Sequence, residues 1–173
     1  MQTKRHQILQ SAINTITQYG YRRTTMDDIA KDAGISRASI YQHFKNKEAV
    51  TLAAFDLVNE QSFSTARNAT DGLDDPAQKL RAYVTAYMVF YFRLIFAGPH
   101  ANEIMQMKSQ LQSKTRKQAR KQFIAEINRF FDLKANAETG QIIAAAAEGI
   151  KMSAPDEEVL RSRLALLLEK FTN

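Results

Sequence analysis

Twenty-five residues from Thr24 to Glu48, TTMDDIAKDAGISRASIYQHFKNKE, restrict the possible fold more than any other stretch. Thr25 precedes two aspartates and Ser36 precedes a second polar segment, and hydroxyl side chains at such positions cap the free amides at a helix start. Gly34 lies between them, and glycine most readily takes the left-handed conformation that ends a helix. The segment therefore predicts two short helices joined by a tight turn.

The second of these helices is predicted to be buried on one face only. Ile40 and Phe44 are four residues apart, so they share a face and should point inward. The side chains left outside are Arg37, Ser39, Gln42 and His43. Two helices crossing through a short turn form a helix-turn-helix, whose second helix lies in the major groove of DNA.

Residues 1–50 resemble the amino-terminal domain of the TetR family of transcriptional repressors. The resemblance is carried by Tyr19-Gly20-Tyr21, Thr24-Thr25, Ile29-Ala30, Ala33-Gly34-Ile35-Ser36, Ile40-Tyr41-Gln42-His43-Phe44 and Lys47-Glu48. The chain departs from the family at Ala38, Ser39 and Ile40, where glycine, threonine and leucine are common. The resemblance implies a DNA-binding domain at residues 1–48 and a helical effector-binding and dimerisation domain at residues 49–173.

The charge distribution favours an anionic partner for the front of the chain. The 173 residues carry a formal net charge of +6. Residues 1–50 hold eight Lys+Arg against four Asp+Glu (+4), whereas residues 51–173 hold sixteen against fourteen (+2). The absence of cysteine excludes disulfides and thiolate metal sites, and the start MQTKRHQILQ lacks an apolar stretch of signal-peptide type, so a cytoplasmic location is expected.

The remaining sequence predicts helices, because no run of alternating apolar and polar residues bounded by turn pairs is present. Breaks are expected at Asp71–Pro76 and Gly98-Pro99, and before a last helix opened by Pro155. The predicted fold class is all-α, with about nine helices. A three-helix helix-turn-helix head is joined by a fourth helix to a helical ligand-binding and dimerisation body.

Base-reading residues are expected near the start of the second short helix. Arg37 is the strongest candidate, since a guanidinium can bond guanine O6 and N7 together, although it could equally grip a phosphate. Ser39 and Gln42 face the same way and Ala38 offers a methyl group to thymine, while a solvated surface is the alternative for Gln42.

Contacts with the DNA backbone follow from the resemblance. Tyr41, His43 and Lys47 match positions that the family uses mainly for the backbone, and Thr25 presents a helix amino terminus to a phosphate. Such contacts set the register on DNA rather than its sequence preference.

The stretch from Tyr83 to Ala97, YVTAYMVFYFRLIFA, predicts a buried helix, since it is apolar on every side and too short for a membrane span. The family resemblance implies a small apolar or amphipathic effector in the body. Candidate ligand-binding residues are Tyr83, Tyr87, Phe90, Tyr91, Arg93, Met105 and Met107. The alternative is that this stripe is simply core, and that Arg93 pairs with Glu103, Glu126 or Glu148 rather than with an anionic ligand.

Two apolar stripes near the end of the chain predict self-association, because one hairpin can hardly hide both. Family resemblance implies that they form a four-helix bundle in a homodimer. The expected dimer-interface residues are Ile143, Ala146, Ala147, Ile150, Leu160, Leu164, Leu167, Leu168 and Phe171. The alternative is that both stripes are used in the core of the single chain.

A basic run at residues 108–122 contains six Lys+Arg and no acid. A solvated helix face is one interpretation. The others are a mouth that attracts acidic ligands and a second surface near DNA.

No catalytic constellation is visible, since the three histidines are scattered and neither a glycine-rich phosphate loop nor an HExxH pair occurs. We therefore expect no enzyme and no cofactor or metal. Three hypotheses remain: a repressor that binds a near-palindromic operator in double-stranded DNA and is released by a small molecule, a DNA-binding regulator controlled by a protein partner or without a ligand, and a structural helical module.

Overall fold

The computed structural model describes residues 3–96, 98–111, 113–130 and 137–172. The elements in these ranges are α1 (Lys4–Tyr19), α2 (Met26–Asp32), α3 (Arg37–His43), α4 (Lys47–Asn68), α5 (Pro76–Tyr91), a π-helical turn (Phe92–Phe96), α6 (Ala101–Leu111), α7 (Ser113–Phe130), α8 (Ala137–Ser153) and α9 (Glu157–Thr172). The described ranges contain helices and no strand, which confirms the predicted all-α class.

Hydroxyl and carboxylate caps explain where several helices begin. Thr25 and Asp28 form a reciprocal capping box at α2, and the Ser36 hydroxyl accepts the Ser39 N–H at α3. Asp75 caps α5, whose first residue is Pro76. The last helix begins at Glu157, two residues after the predicted Pro155, because the Asp156 carboxylate accepts the Val159 N–H.

The chain divides into two compact units at places that differ from the predicted domain boundary. The first unit comprises Met1–Glu60 and Gly98–Ser113, and the second comprises Gln61–Ala97 and Lys114–Asn173. The division falls inside α4, and α6 belongs to the first unit because it packs against α1. Met105 and Met107 therefore belong to the first unit, whereas the aromatic residues of α5 belong to the second.

The core of the second unit is formed where α5, α8 and α9 pack together. Five residues that we expected at a dimer interface are fully buried there within the single chain: Ile143, Ala147, Leu160, Leu164 and Leu168. Ala146, Ile150, Leu167 and Phe171 are half-buried. The main apolar stripe of each helix thus faces the core of its own unit, and the interface expected from it needs revision.

No helix in the described ranges is both long and apolar enough to cross a membrane.

Candidate nucleic-acid interface

The exposed face of α3 carries most of the residues predicted to contact DNA. Ile40 is fully buried and Phe44 is nearly so, which fixes the rotation of the helix. Exposed residues on or beside this face are Arg37, Ala38, Tyr41, Gln42 and His43, and Ser39 is half-buried. A seven-residue helix anchored on one side thus presents a continuous polar surface.

Arg37 is held loosely on this surface. Its Nη1 lies 2.9 Å from Asp27 Oδ2, and the two side chains are 70% and 55% exposed. The guanidinium carbon is also 5.9 Å from the centre of the Tyr41 ring. Because exposed ion pairs contribute only about 0–1 kcal/mol, the guanidinium can exchange Asp27 for a base edge or a phosphate at small cost.

The Thr25 hydroxyl forms hydrogen bonds with Asp28 of the same chain. Its oxygen accepts the Asp28 N–H at 3.1 Å, and its O–H donates to Asp28 Oδ2 at 2.7 Å. The Thr25 N–H donates to the same carboxylate at 2.8 Å. These hydrogen bonds hold the pKa of Asp28 below its usual value. Thr25 therefore fixes the start of α2, and its exposed position leaves the helix terminus accessible.

Lys47 occupies a different environment from the one expected. Its Nζ donates to the carbonyl oxygens of Tyr21 at 2.8 Å, Thr24 at 2.9 Å and Arg22 at 3.4 Å, and it lies 4.3 Å from the centre of the Tyr21 ring. An ammonium has three donors, and all are used here. Burial lowers the pKa of Lys47, and the charge of Glu103 opposes that shift. In this structure Lys47 therefore holds the loop before α2, and its contact with a phosphate stays a prediction.

Glu103 makes a contact that the sequence interpretation missed, since it considered this residue only as a partner of Arg93. Its Oε1 accepts the backbone N–H of Arg22 at 2.6 Å, a contact between residues 81 positions apart. A Cβ atom at Gly20 would lie 2.5 Å from Glu103 Oε2, so the missing side chain leaves room for the carboxylate. No local pattern connects two residues so distant in sequence.

The tyrosines proposed to bind a ligand are mainly core residues of the second unit. Tyr83, Tyr87 and Tyr91 are buried, and the rings of Tyr87 and Phe123 stack at a centroid distance of 4.2 Å. Burial raises the pKa of Tyr91 to about 12. The hydroxyl of Tyr83 is buried and lacks a hydrogen-bond partner among the described residues.

Arg93 pairs with a residue that the sequence interpretation did not consider. Its Nε and Nη2 donate to the Glu157 carboxylate at 2.6 and 2.7 Å, and the Arg161 Nε donates to the same carboxylate at 2.9 Å. Those hydrogen bonds lower the pKa of Glu157 to about 2. The predictions of Glu103, Glu126 or Glu148 as partner were wrong.

Two of the cavities formed by the described residues of the second unit are lined by candidate ligand residues. A groove of about 590 Å³ is lined mainly by small and apolar side chains of α5 and of the end of α4, together with Phe90, Arg93 and, from α9, Arg161. A cavity of about 460 Å³ is lined by Tyr83, Phe130 and five charged residues, Arg67, Asp71, Lys79, Glu126 and Arg129. Of the candidate ligand residues, Phe90 and Arg93 line the groove and Tyr83 lines the other cavity, so the candidates are not gathered at one site.

The basic run is helical in its described residues, but the side chains of residues 108–116 lie outside the description. In the described part, Lys117 and Lys121 are exposed and Arg120 Nη1 lies 2.7 Å from Glu148 Oε2. The described part thus resembles an ordinary charged helix face.

The head, with capped α2 and α3 and an exposed polar recognition helix, defines a helix-turn-helix DNA-binding protein. The model of the family described as "Bacterial regulatory proteins, tetR family" matches residues 8–54. Residues 8–54 thus form a DNA-binding domain of the TetR family type. This family and its relatives are DNA-binding transcriptional regulators and not enzymes, as the sequence predicted.

Among relatives, the chain is 34% identical over 106 residues to the HTH-type transcriptional activator FasR of Mycolicibacterium smegmatis, covering 58% of this chain and 48% of that protein. It is 30% identical over 91 residues to the biofilm operon icaADBC HTH-type negative transcriptional regulator IcaR of Staphylococcus aureus, covering 50% and 49%. The chain thus spans about half the length, or less, of the first relatives it matches.

The structural similarity to solved proteins covers nearly the whole chain. A crystal structure of a transcriptional regulator from Cytophaga hutchinsonii is 18% identical, with a TM-score of 0.77 over 95% of this chain and 94% of that one. At such identity the likeness shows the fold alone.

Proposed function

We propose that this protein is a transcriptional regulator that binds a near-palindromic operator in double-stranded DNA as a homodimer. The observation that carries the proposal is the rotation of α3. Ile40 is buried on one side of the helix, and the side chains exposed on the rest of it include Arg37, Tyr41, Gln42 and His43. A recognition helix of this kind reads base edges in the major groove and uses flanking side chains for phosphates.

The test is selection of DNA sites from a random duplex library by the full chain, followed by affinity measurements at several salt concentrations. We expect an enriched, two-fold symmetric sequence with half-sites one helical turn, about 34–36 Å, or a multiple of it apart. Affinity should fall as salt rises, because phosphate contacts release counterions. Failure to prefer any duplex at physiological salt would contradict the regulator proposal.

Homodimerisation is proposed through the outer faces of α8 and α9 rather than through the buried stripes. Ile142, Met152 and Leu166 are 55%, 63% and 62% exposed. Ala145 and Gly149 are exposed between Ile142 and Met152, at spacings that place all four on one face of α8. A partly apolar face with small residues at its centre permits close approach of a second copy.

Light scattering coupled to size exclusion tests this surface. Ile142→Lys and Leu166→Lys should shift the protein toward a monomer, whereas Glu158→Lys, on another exposed residue of α9, serves as the control. A wild type that is monomeric at micromolar concentration would contradict the dimer, while leaving DNA binding by a single head to be judged separately.

Repression is the mode of action that we propose. A dimer seated on an operator blocks access by occupancy alone, whereas activation requires a further productive contact with the transcription machinery. One relative is named a negative regulator and another an activator, so the mode needs a direct measurement. Transcription in vitro from a promoter containing the selected site should fall on addition of the protein, and a rise would overturn this part of the proposal.

The effector site that we propose is the cavity of about 460 Å³ that Tyr83 lines. Its volume of about 460 Å³ lies in the range of small-molecule sites, and the buried Tyr83 hydroxyl lacks a hydrogen-bond partner among the described residues. Glu126 and Arg67, which act on the pKa of this hydroxyl beside the larger effect of burial, both line the cavity. Three cations and two acids line the cavity beside the Phe130 ring, which suits a small carboxylic acid with an apolar body.

Thermal shift with a panel of small aromatic and aliphatic carboxylic acids tests this site. A compound at 100 times its Kd should stabilise the protein by about 2.7 kcal/mol and release operator DNA. Tyr83→Phe should weaken its binding, whereas Tyr19→Phe, which changes an exposed tyrosine of the first unit, should not. If a compound releases DNA equally from the Tyr83→Phe variant, the effector acts elsewhere. If no compound releases DNA, control by a protein partner becomes the better hypothesis.

A further inference from the structure

The loop from Gly20 to Thr24 connects α1 to the capping residue of α2. Its backbone carbonyl oxygens and one of its N–H groups form hydrogen bonds with charged side chains. Thr24 is fully buried, and its hydroxyl donates to the Gly20 carbonyl at 2.7 Å. Lys47 donates to the carbonyl oxygens of Tyr21, Arg22 and Thr24, whereas Glu103 accepts the Arg22 N–H. The loop is therefore restrained by hydrogen bonds to donors and acceptors alike.

Glu103 is suited to this contact by chemistry and by space. A carboxylate accepting a backbone N–H makes a charge-assisted hydrogen bond, and its length of 2.6 Å is typical of a strong one. Gly20 has φ +83° and no side chain, so the carboxylate can approach the backbone where a Cβ atom would lie 2.5 Å from Oε2. The contact is specific to these residues, since any side chain at residue 20 would displace the carboxylate.

We propose that Glu103 is a positioning residue for DNA binding: through its hydrogen bond with the Arg22 N–H, and together with Lys47, it sets the loop that places Thr25 and the start of α2. The proposal rests on the DNA-binding function proposed above. It assigns a role in DNA binding to an acidic residue 60 positions beyond the end of the recognition helix at His43, where neither composition nor motif points to one.

General electrostatics and positioning predict opposite effects when this carboxylate is removed. An acid in a DNA-binding unit repels phosphate, so its loss by itself should strengthen binding to every duplex. If Glu103 positions the loop, its loss should instead weaken binding to the operator. The sign of the change therefore separates the two explanations.

The experiment compares Glu103→Ala and Glu103→Gln with Glu60→Ala and Glu60→Gln. Glu60 is exposed in the same unit, so its variants change the charge equally. Operator affinity of Glu103→Ala should fall about ten-fold, as loss of a hydrogen bond to a charged group suggests. Glu103→Gln keeps an oxygen acceptor and should lose less, while both Glu60 variants should bind as tightly as wild type or tighter. Equal affinities of the two alanine variants would overturn the proposal.

Hydrogen exchange of the free protein provides a second measurement that needs no DNA. The Arg22 amide should exchange more slowly in wild type than in Glu103→Ala, with little change at amides of α5 and α9. Uniformly faster exchange would indicate a general loss of stability and would contradict a positioning role. Unchanged protection at Arg22 would show that the contact does not form and would also overturn the proposal. A wild type that binds no duplex, yet shows the Arg22 effect, would instead contradict the proposed function.

Discussion

The recognition helix α3 and the carboxy-terminal pair α8 and α9 show the same kind of apolar spacing with different outcomes. In α3, Ile40 and Phe44 are buried as predicted, and the polar residues on the other side are exposed. In α8 and α9, residues such as Ile143 and Leu164 are buried inside the single chain and are not exposed for contact with a second copy.

The difference arises because spacing identifies a face but not what covers it. A short helix such as α3 follows its partner α2 after a tight turn, so the covering element is adjacent in sequence. For α8 and α9, the covering element includes α5, which lies more than forty residues earlier in the chain. Only the arrangement of the whole unit determines which faces remain exposed.

The largest expected effect separates the two faces of α9. Leu164→Ala should destabilise the protein by about 2–5 kcal/mol, because it opens a cavity at a fully buried site. Leu166→Ala, at a residue 62% exposed, should change the stability of the single chain by no more than about 0.5 kcal/mol. Urea unfolding of both variants measures this contrast.

Protein concentration extends that measurement to the proposed dimer. The unfolding midpoint of wild type should rise with concentration, and Leu166→Ala should weaken this dependence. Similar losses of stability in Leu164→Ala and Leu166→Ala would mean that the burial of the two faces has been assigned incorrectly.

Local capping explains how much of the fold was predictable. Thr25, Ser36 and Asp75 have side chains that bond amides three residues further on, so the starts of α2, α3 and α5 are encoded within one helical turn. The contacts of Glu103 with Arg22 and of Arg93 with Glu157 are not encoded this way, because each joins residues 64 or more positions apart. The same limit applies to Lys47, whose acceptors lie in a loop 23 to 26 residues away.

The second prediction concerns Lys47 and tests whether its role lies in the loop or on DNA. Lys47→Met leaves carbonyl oxygens of Tyr21 and Thr24 without their charged donor, so it should cost about 1.5–3 kcal/mol of stability. Lys45→Met, at an exposed neighbour, is the control and should leave stability nearly unchanged. If Lys47→Met keeps full stability while the salt dependence of operator binding loses about one unit of slope, Lys47 is a phosphate contact after all.

A third prediction addresses base reading by Arg37. Arg37→Ala should cost about 1–3 kcal/mol of operator binding and relax the base preference at one position in each half-site. Arg37→Lys keeps the charge but not the bidentate geometry. Compared with Arg37→Ala, it should therefore regain the wild-type salt dependence of binding but not the wild-type base preference. Equal weakening at every sequence, with unchanged preference, would identify a phosphate contact instead.

The smallest effect is expected from the carboxylate that bonds both Arg93 and Arg161. Hydrogen bonds from Arg93, and then from Arg161, lower the pKa of Glu157 from 4.5 to about 2. A folded-state pKa below the unfolded value favours folding when the carboxylate is ionised, so this contribution is complete above about pH 4.5 and is lost as the pH falls through about 2. The difference in urea midpoint between wild type and Glu157→Gln should therefore shrink below pH 4.5. It should also shrink with added salt, because the Arg93 side chain is 64% exposed. Glu158→Gln, at an exposed residue of the same helix, is the matched charge control. If the difference in urea midpoint between wild type and Glu157→Gln stayed constant from pH 7 to 3, the carboxylate would act through packing rather than through its charge. The ion pair would then contribute nothing to holding α9 in place.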